Sequence, residues 1–366
     1  MAETKKLGFG LMRLPRKGPF IDIEQTREMV DRFLDAGCTY FDTAHVYIGS
    51  EDAARKALVS RHPRDSYTLA TKLYVPLAPT EKLAKEQFYT SLKRTGAEYF
   101  DYYLLHSMMD NNYRKYERFR IWDFVREQKE KGLIRHYGFS FHDSPELLDQ
   151  ILTEHPDAEF VQLQLNYADW ENPAIQSRGV YEVARRHGKP IVVMEPVKGG
   201  GLANPPKEVR ELFASYAPDA SPASWAVRFA ASLDGILTVL SGMSNLAQMD
   251  DNLSYMRDFT PLGAEEQRII HEAQRIMGAA KTIPCTACGY CTKGCPQGIP
   301  IPEVFAAMNK RLGSGRLEES AADYRDLAAR GAKASDCVAC GQCEAACPQH
   351  IEIIEQLRKC ADALEA

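Results

Sequence analysis

Eight of the ten cysteines fall into two copies of one spacing near the C-terminus. The first copy is Cys285-x2-Cys288-x2-Cys291-x3-Cys295-Pro296, and the second is Cys337-x2-Cys340-x2-Cys343-x3-Cys347-Pro348. In a run of this kind thiolates hold [4Fe–4S] clusters: three at i, i+3 and i+6 converge on one cluster, and the fourth, followed by Pro, ligates the other. The spacing assigns Cys285, Cys288, Cys291 and Cys347 to one cluster, and Cys337, Cys340, Cys343 and Cys295 to a second.

Two blander readings compete. Disulfides call for a secreted setting, whereas residues 1–6 lead into a short strand with no apolar stretch of the signal-peptide kind. Zinc also uses C-x2-C pairs, but two such pairs suffice for it, and the third cysteine and the C-x3-C-P ending would then go unexplained. A reducing cytoplasm suits thiolate ligands best.

At 366 residues the chain has room for two or three domains or one long barrel. Hydrophobic content of 45% and charged content of 26% are ordinary for a globular protein. The net charge of −5 gives no basic footprint for nucleic acid. No apolar run reaches the length of a membrane-spanning helix, so no membrane partner is expected.

Residues 1–278 repeat a strand-then-helix rhythm. Eight apolar, β-branched or aromatic runs stand out: 7–12, 39–43, 67–72, 101–106, 134–140, 160–166, 191–195 and 236–241. Most precede a helical pattern; 26–36, for example, places Met29, Val30, Phe33 and Leu34 on one face before Gly37. Alternation of this kind implies a parallel sheet, and eight units of this size fit an α/β (β/α)8 barrel. A doubly wound open sheet is the alternative, weakened because no G-x-G-x-x-G follows the first strand. A connector at 279–284 leads into a small, mainly helical ferredoxin-like domain over 279–366. Its helices are expected at 302–312, 317–330 and 351–364, with a break at Gly313-Ser314-Gly315.

Polar groups at strand C-termini are a barrel's catalytic candidates. Asp42 ends the second run, with Tyr47 in the following loop; Lys72 ends the third and His106 the fourth. A phenol ordinarily titrates near ~10, too high for efficient proton donation at neutral pH. A nearby ammonium lowers that value. Asp42 can hold Lys72 in place, and His106 can orient a carbonyl oxygen. Together the groups suit protonation of a carbonyl oxygen as hydride reaches its carbon. Taken singly, each has an ordinary structural role open to it: Asp42 as a cap, Lys72 as a surface charge, Tyr47 as loop packing, His106 as a core histidine. His45, His136, His142, Cys38 and Cys360 read as structure, and Glu195 as a backbone-bonded carboxylate.

Phe41-Asp42-Thr43-Ala44-His45-Val46-Tyr47, followed by Glu51, resembles the aldo-keto reductase signature. Ala70-Thr71-Lys72, Leu104-Leu105-His106 and the stretch Gly132 to Ser140 match further family segments in order and spacing. The tail resembles the dicluster ferredoxin module attached to one branch of these reductases. The resemblance implies a NADP or NAD cofactor across the barrel mouth. By it, Ser140 and Gln162 hold the nicotinamide carboxamide, Asn166 follows as a further cofactor-binding residue where the pattern expects it, an aromatic such as Tyr167 stacks on the ring, and Pro196, Val197, Lys198 and Gly199 cover the pyrophosphate. The adenosine ribose falls to Gly242, Ser244, Gln248 and Asn252. Gly242 and Gln248 stand where NADPH-selective members carry Lys and Arg, which keeps NADH open as the cofactor.

The expected function is carbonyl–alcohol interconversion, with the clusters serving as an electron relay to a redox protein partner or as structure. The alternative is a non-catalytic barrel acting as docking body for the iron–sulfur module. Substrate specificity is expected in the loops at 107–121 and after 200, the first of which carries Met108, Met109, Tyr113, Tyr116 and Phe119.

Overall fold

A computed structural model describes residues 5–278, 282–314 and 316–365. The expected strands form a closed barrel: β1 (Leu7–Gly10), β2 (Tyr40–Asp42), β3 (Thr68–Leu73), β4 (Phe100–Met108), β5 (Ile134–Phe141), β6 (Phe160–Gln164), β7 (Ile191–Met194) and β8 (Ile236–Ser241). Each strand pairs in parallel with its sequence neighbours, and β1 closes the ring by pairing with both β8 and β2. The open-sheet alternative is excluded by that closure.

The local causes are ordinary ones. The helix Ile23–Asp35 starts where the Asp22 carboxylate accepts from Gln25 N–H at 3.2 Å. It buries Met29, Val30 and Phe33, and Phe33 meets Phe41 of β2 edge-on at 5.1 Å. Gly37, at φ 78°, lets the chain turn back into β2. Inside the barrel, Tyr40, Ala70, Leu104, Phe160, Val192 and Leu240 pack from six strands into one cluster, so the interior is filled rather than open. Gly138 of β5 has a physical reason: a Cβ there would lie 2.2 Å from the Phe160 carbonyl oxygen of β6.

Several boundaries differ from expectation. β1 ends at Gly10, and Leu11–Arg13 turn into a short 3-10 helix. β4 runs on to Met108 through a register shift between Leu105 and Met108. Asn166 and Glu195 lie just beyond the ends of β6 and β7. In the tail, the long helices are Ile301–Ser314, Leu317–Ala328 and Ile353–Leu364, with single turns at Tyr290–Lys293 and Gln342–Ala345. The first continues through Gly313 and Ser314 instead of breaking there; Gly315 lies outside the described residues, as do 279–281 of the connector.

The chain divides into two compact units. One holds the residues up to Glu171, then Gln176–Pro196 and Ala223–Gly263; the other holds Asn172–Ile175, Val197–Pro222 and the chain from Ala264 onward. In the second unit Ile299, Ile301, Val304, Phe305, Ile353 and Leu357 form a core of their own with the cysteines. No helix among the described residues is long and apolar enough to cross a membrane.

Candidate active site and cluster sites

The parallel register brings the catalytic candidates to one end of the barrel. Asp42 ends β2, and Lys72 lies near the end of the adjacent β3. Both are buried, at 3% and 0% exposure. Lys72 Nζ donates to the Asp42 carboxylate and to the Thr43 carbonyl at 2.8 Å. Burial pushes the Asp42 carboxyl up, opposed by Lys72. Burial likewise pushes Lys72 down, opposed by Asp42 and then by Glu51. An ion pair out of water keeps its charges only with such close hydrogen bonding.

Tyr47 lies beside this pair, its ring centroid 5.2 Å from Lys72 Nζ. The His106 ring meets Tyr47 edge-on at 5.7 Å and Tyr74 at 5.5 Å. His106 sits at the irregularity in β4, where Ser107 adopts φ 57°. That backbone is tied down: Ser107 N–H donates to Ser140 Oγ at 2.7 Å, and Asn112 Nδ2 donates to the Ser107 carbonyl at 2.9 Å. The Tyr116 hydroxyl donates to the His106 carbonyl at 2.5 Å. A bulge re-aims a side chain, and these bonds fix the direction. Asp42, Tyr47, Lys72 and His106 thus share one mouth.

The expected nicotinamide residues fare unequally. Ser140 and Gln162 are register partners across β5 and β6, and both are buried. Gln162 Oε1 is a buried acceptor without a hydrogen-bond partner among the described residues. Asn166 is committed elsewhere: its Nδ2 donates to Asp169 Oδ2 at 2.8 Å and to the Glu195 carbonyl at 3.1 Å, while its Oδ1 accepts from Asp169 N–H. Tyr167 is wholly buried, with Phe229 edge-on at 6.2 Å, so its ring has no exposed face.

At the end of β8, Ser244 N–H donates to Gln248 Oε1 at 2.7 Å, and Asn245 caps the helix Leu246–Met256 through Gln248 N–H. Asn252 Nδ2 donates to the Gln248 carbonyl. Beside Gly242 runs the stem of Arg13, whose Cδ would be 3.7 Å from a Cβ at 242. Arg13 Nη2 lies 3.9 Å from Glu195 Oε1. An arginine stem therefore runs next to Gly242, with its guanidinium toward Glu195; no spacing signal links residues 13 and 242. The apolar residues of the 107–121 loop turn inward: Met108 and Tyr116 are 0% exposed, so packing accounts for them.

In the tail, Cys285, Cys288, Cys291 and Cys347 line one small cavity, with Ile301, Phe305 and Ile351 around them. Cys295, Cys337, Cys340 and Cys343 line another. Each cavity takes three cysteines from one run and the Pro-flanked fourth from the other. The two runs repeat each other's backbone: Ala287 and Ala339 adopt φ 52° and 54°, and Gly289 and Gly341 φ 74° and 77°. Burial, and then the neighbouring Cys288, Cys285 and Cys347, push the Cys291 thiol up to about 12. Thiolate charge in such a pocket requires a cationic centre to balance it. The loop after β7 packs on the first run: Gly199, at φ 64°, brings its backbone so close to Thr286 that a Cβ would lie 2.4 Å from the Thr286 carbonyl oxygen.

Residues 6–275 match the aldo/keto reductase family. The chain belongs to that family. Residues 284–352 match the 4Fe-4S dicluster domain, so this oxidoreductase is of the branch whose barrel is followed by an iron–sulfur module. An aldo-keto reductase of Mycobacterium avium is 28% identical over 280 residues, covering 75% of this chain and 89% of the relative. The aldo-keto reductase str7 of Strobilurus tenacellus is 30% identical over 212 residues, 54% of this chain, and the match spans 60% of that relative's length. Among solved structures, the holo form of aldo-keto reductase AKR11C1 from Bacillus halodurans superposes with a TM-score of 0.58 at 26% identity, covering 73% of this chain and 91% of that one. An aldo/keto reductase from Klebsiella pneumoniae in complex with NADP and acetate shares the fold, with a TM-score of 0.60 at 19% identity and coverage of 74% and 91%.

Proposed function

We propose that this family member interconverts a small carbonyl compound and its alcohol using NADP or NAD, within a barrel domain at 1–278, and carries two [4Fe–4S] clusters in a domain at 279–366. The observation that supports this most is the buried Asp42–Lys72 pair beside Tyr47, with His106 against the same ring.

Bound nicotinamide supplies a hydride to the carbonyl carbon. Tyr47 gives its hydroxyl proton to the carbonyl oxygen and regains one from water. The Lys72 ammonium favours the negative charge that grows on the phenol oxygen as the proton leaves. Asp42 keeps that ammonium charged and aimed. His106 donates a hydrogen bond to the carbonyl oxygen and orients it. Ser140 and the unpartnered Gln162 Oε1 fit a carboxamide, which offers both an acceptor and donors. Asn166 then acts as support, tying the end of β6 to the Glu195 carbonyl after β7, and Tyr167 packs on Phe229. Lys198 and the backbone N–H groups at 197–199 suit phosphate oxygens, with the ribose near Gly242, Ser244, Gln248 and Asn252. The NADP of the Klebsiella relative favours the phosphorylated cofactor.

The two sets of four cysteines suit one cluster each. Clusters supply one-electron transfer when bound, which carbonyl reduction by hydride does not need, and they point to a redox protein partner in a reducing cytoplasm. A barrel kept only as a docking body has no use for a buried ion pair, and the arrangement at Lys72 favours the enzyme.

The test is Tyr47→Phe. It should cut carbonyl reduction by about 10²- to 10⁴-fold while NADPH binding, read by fluorescence quenching, stays unchanged. Near wild-type turnover in the variant refutes the assignment. Anaerobic titration of the loaded protein with NADPH and NADH reads the clusters' role. Bleaching of the visible cluster band as nicotinamide is oxidised means electron exchange, and an unbleached band during aldehyde reduction means the barrel works alone.

A further inference from the structure

Glu51 is a carboxylate that the proton-transfer scheme does not use, yet it is 2% exposed. It is the second residue of the short helix Ser50–Ala54, just after the loop that carries Tyr47. Its Oε1 accepts from Thr71 Oγ1 at 2.9 Å, and Thr71 is the neighbour of Lys72 in β3. Its Oε2 accepts from Arg94 Nη1 at 3.4 Å. The same Arg94 nitrogen donates to the His45 carbonyl at 3.2 Å, and His45 N–H donates to the Lys72 carbonyl at 3.0 Å.

These four bonds close a ring. It runs from β3 through Glu51 to Arg94, on to His45, and back to β3. The segment it encloses is 45–51, and Tyr47 sits on it. The segment is also pinned from behind, where Ser50 Oγ bonds Thr43 Oγ1 at 2.6 Å and donates to the Leu11 carbonyl at 2.9 Å. A buried carboxylate costs several kcal/mol in lost hydration, so a loop that needed only filling would be better served by an apolar side chain.

We propose that Glu51 is a positioning residue for proton transfer, holding the Tyr47 loop in register with the strand that carries Lys72. The proposal rests on the reading of Tyr47 as proton donor. Its physical basis is that small displacements of a reacting group cost large rate factors. Glu51 also opposes the effect of burial on Lys72, so its charge reaches the ammonium that faces Tyr47.

The test uses the full, cluster-loaded chain with NADPH and 4-nitrobenzaldehyde as the probe substrate. Glu51→Ala is expected to lower kcat by about 10- to 100-fold, with the NADPH dissociation constant and the KM changing by about twofold at most. Glu51→Gln, which keeps an acceptor for Thr71 but loses the ion pair with Arg94, should fall between Glu51→Ala and wild type. In the Tyr47→Phe background, Glu51→Ala should cause no further loss of the residual turnover. A merely structural role would lower both backgrounds alike.

A folded Glu51→Ala protein with wild-type kcat overturns the proposal, and so does equal loss in both backgrounds. Where Glu51→Ala does not fold, Thr71→Val removes one bond of the ring at nearly constant volume, and an unchanged kcat there overturns it equally. Tyr47→Phe measured alone separates the two failures. If it stays active, the reading of Tyr47 has failed. If it is dead while Glu51→Ala and Thr71→Val work normally, only the Glu51 proposal has failed.

Discussion

Lys72 and Asp42 form an ion pair wholly inside the barrel wall, one at the end of β3 and the other at the end of β2. Removing one partner strands the other's charge or hydrogen-bonding capacity away from water. Asp42→Asn should destabilise the barrel by about 3–5 kcal/mol. The double variant Asp42→Asn/Lys72→Met should recover most of that loss while remaining inactive, because the buried charge is gone but so is the group that assists Tyr47. Trp122, Trp170 and Trp225 all lie in the barrel unit, so tryptophan fluorescence in urea follows that unit. A double variant no more stable than Asp42→Asn alone would contradict the argument.

His45 imposes a pH dependence on stability. Burial, and secondly the charge of Arg94, lower it from its ordinary 6.5 to about 4. Between these values the unfolded chain binds the proton and the folded chain does not. Stability is therefore fully present above 6.5, falls as pH drops from 6.5 towards 4, and levels off below. The urea midpoint of the fluorescence transition should be lower at about pH 5 than at about pH 7.5, and His45→Gln should shrink that difference. An equal pH dependence in the variant would remove His45 from the account.

The crossing of cysteines between the two cavities predicts which losses go together. Cys347→Ser should delete the same cluster as Cys291→Ser, and Cys295→Ser the same one as Cys343→Ser. Iron analysis, with electron paramagnetic resonance of the dithionite-reduced protein, separates the two clusters. If Cys347→Ser instead shares its spectrum with Cys343→Ser, each run serves its own cluster.

Gly199 is predicted to be essential for the first cluster. Alanine there faces both a φ of 64° and a contact of 2.4 Å with backbone, neither of which a flexible side chain can relieve. The loop at Cys285–Cys288 must shift. Gly199→Ala should lower iron content by loss from the first cluster, with the signal of the second retained. Gly201→Ala, at a position with open space around it, is the control and should load normally.

Much of this molecule is written in local pattern. Runs of β-branched and aromatic residues marked all eight strands, and the C-x2-C-x2-C-x3-C-P spacing named its own partners across the two runs. Residue type at strand ends was enough to pick out Asp42, Lys72 and His106, because parallel strands in a closed barrel put every C-terminal end on one face. Ser140 and Gln162 were legible for the same reason, as positions on adjacent strands.

Other features have no signature along the chain. Asn166 spends its amide on Asp169 and the Glu195 carbonyl, Tyr167 is sealed under Phe229, and the apolar residues at 107–121 turn inward. Arg13 reaches Gly242 from the far end of the sequence, and Glu51 meets Thr71 and Arg94 across two other elements. The sequence determined the strand count, the grouping of the eight cysteines and the chemical types at the mouth, since these depend on periodicity and spacing. Only the tertiary structure decided which polar atoms are already satisfied and which stay available. Hydrogen bonds act over about 3 Å, and that proximity exists only once the barrel has closed.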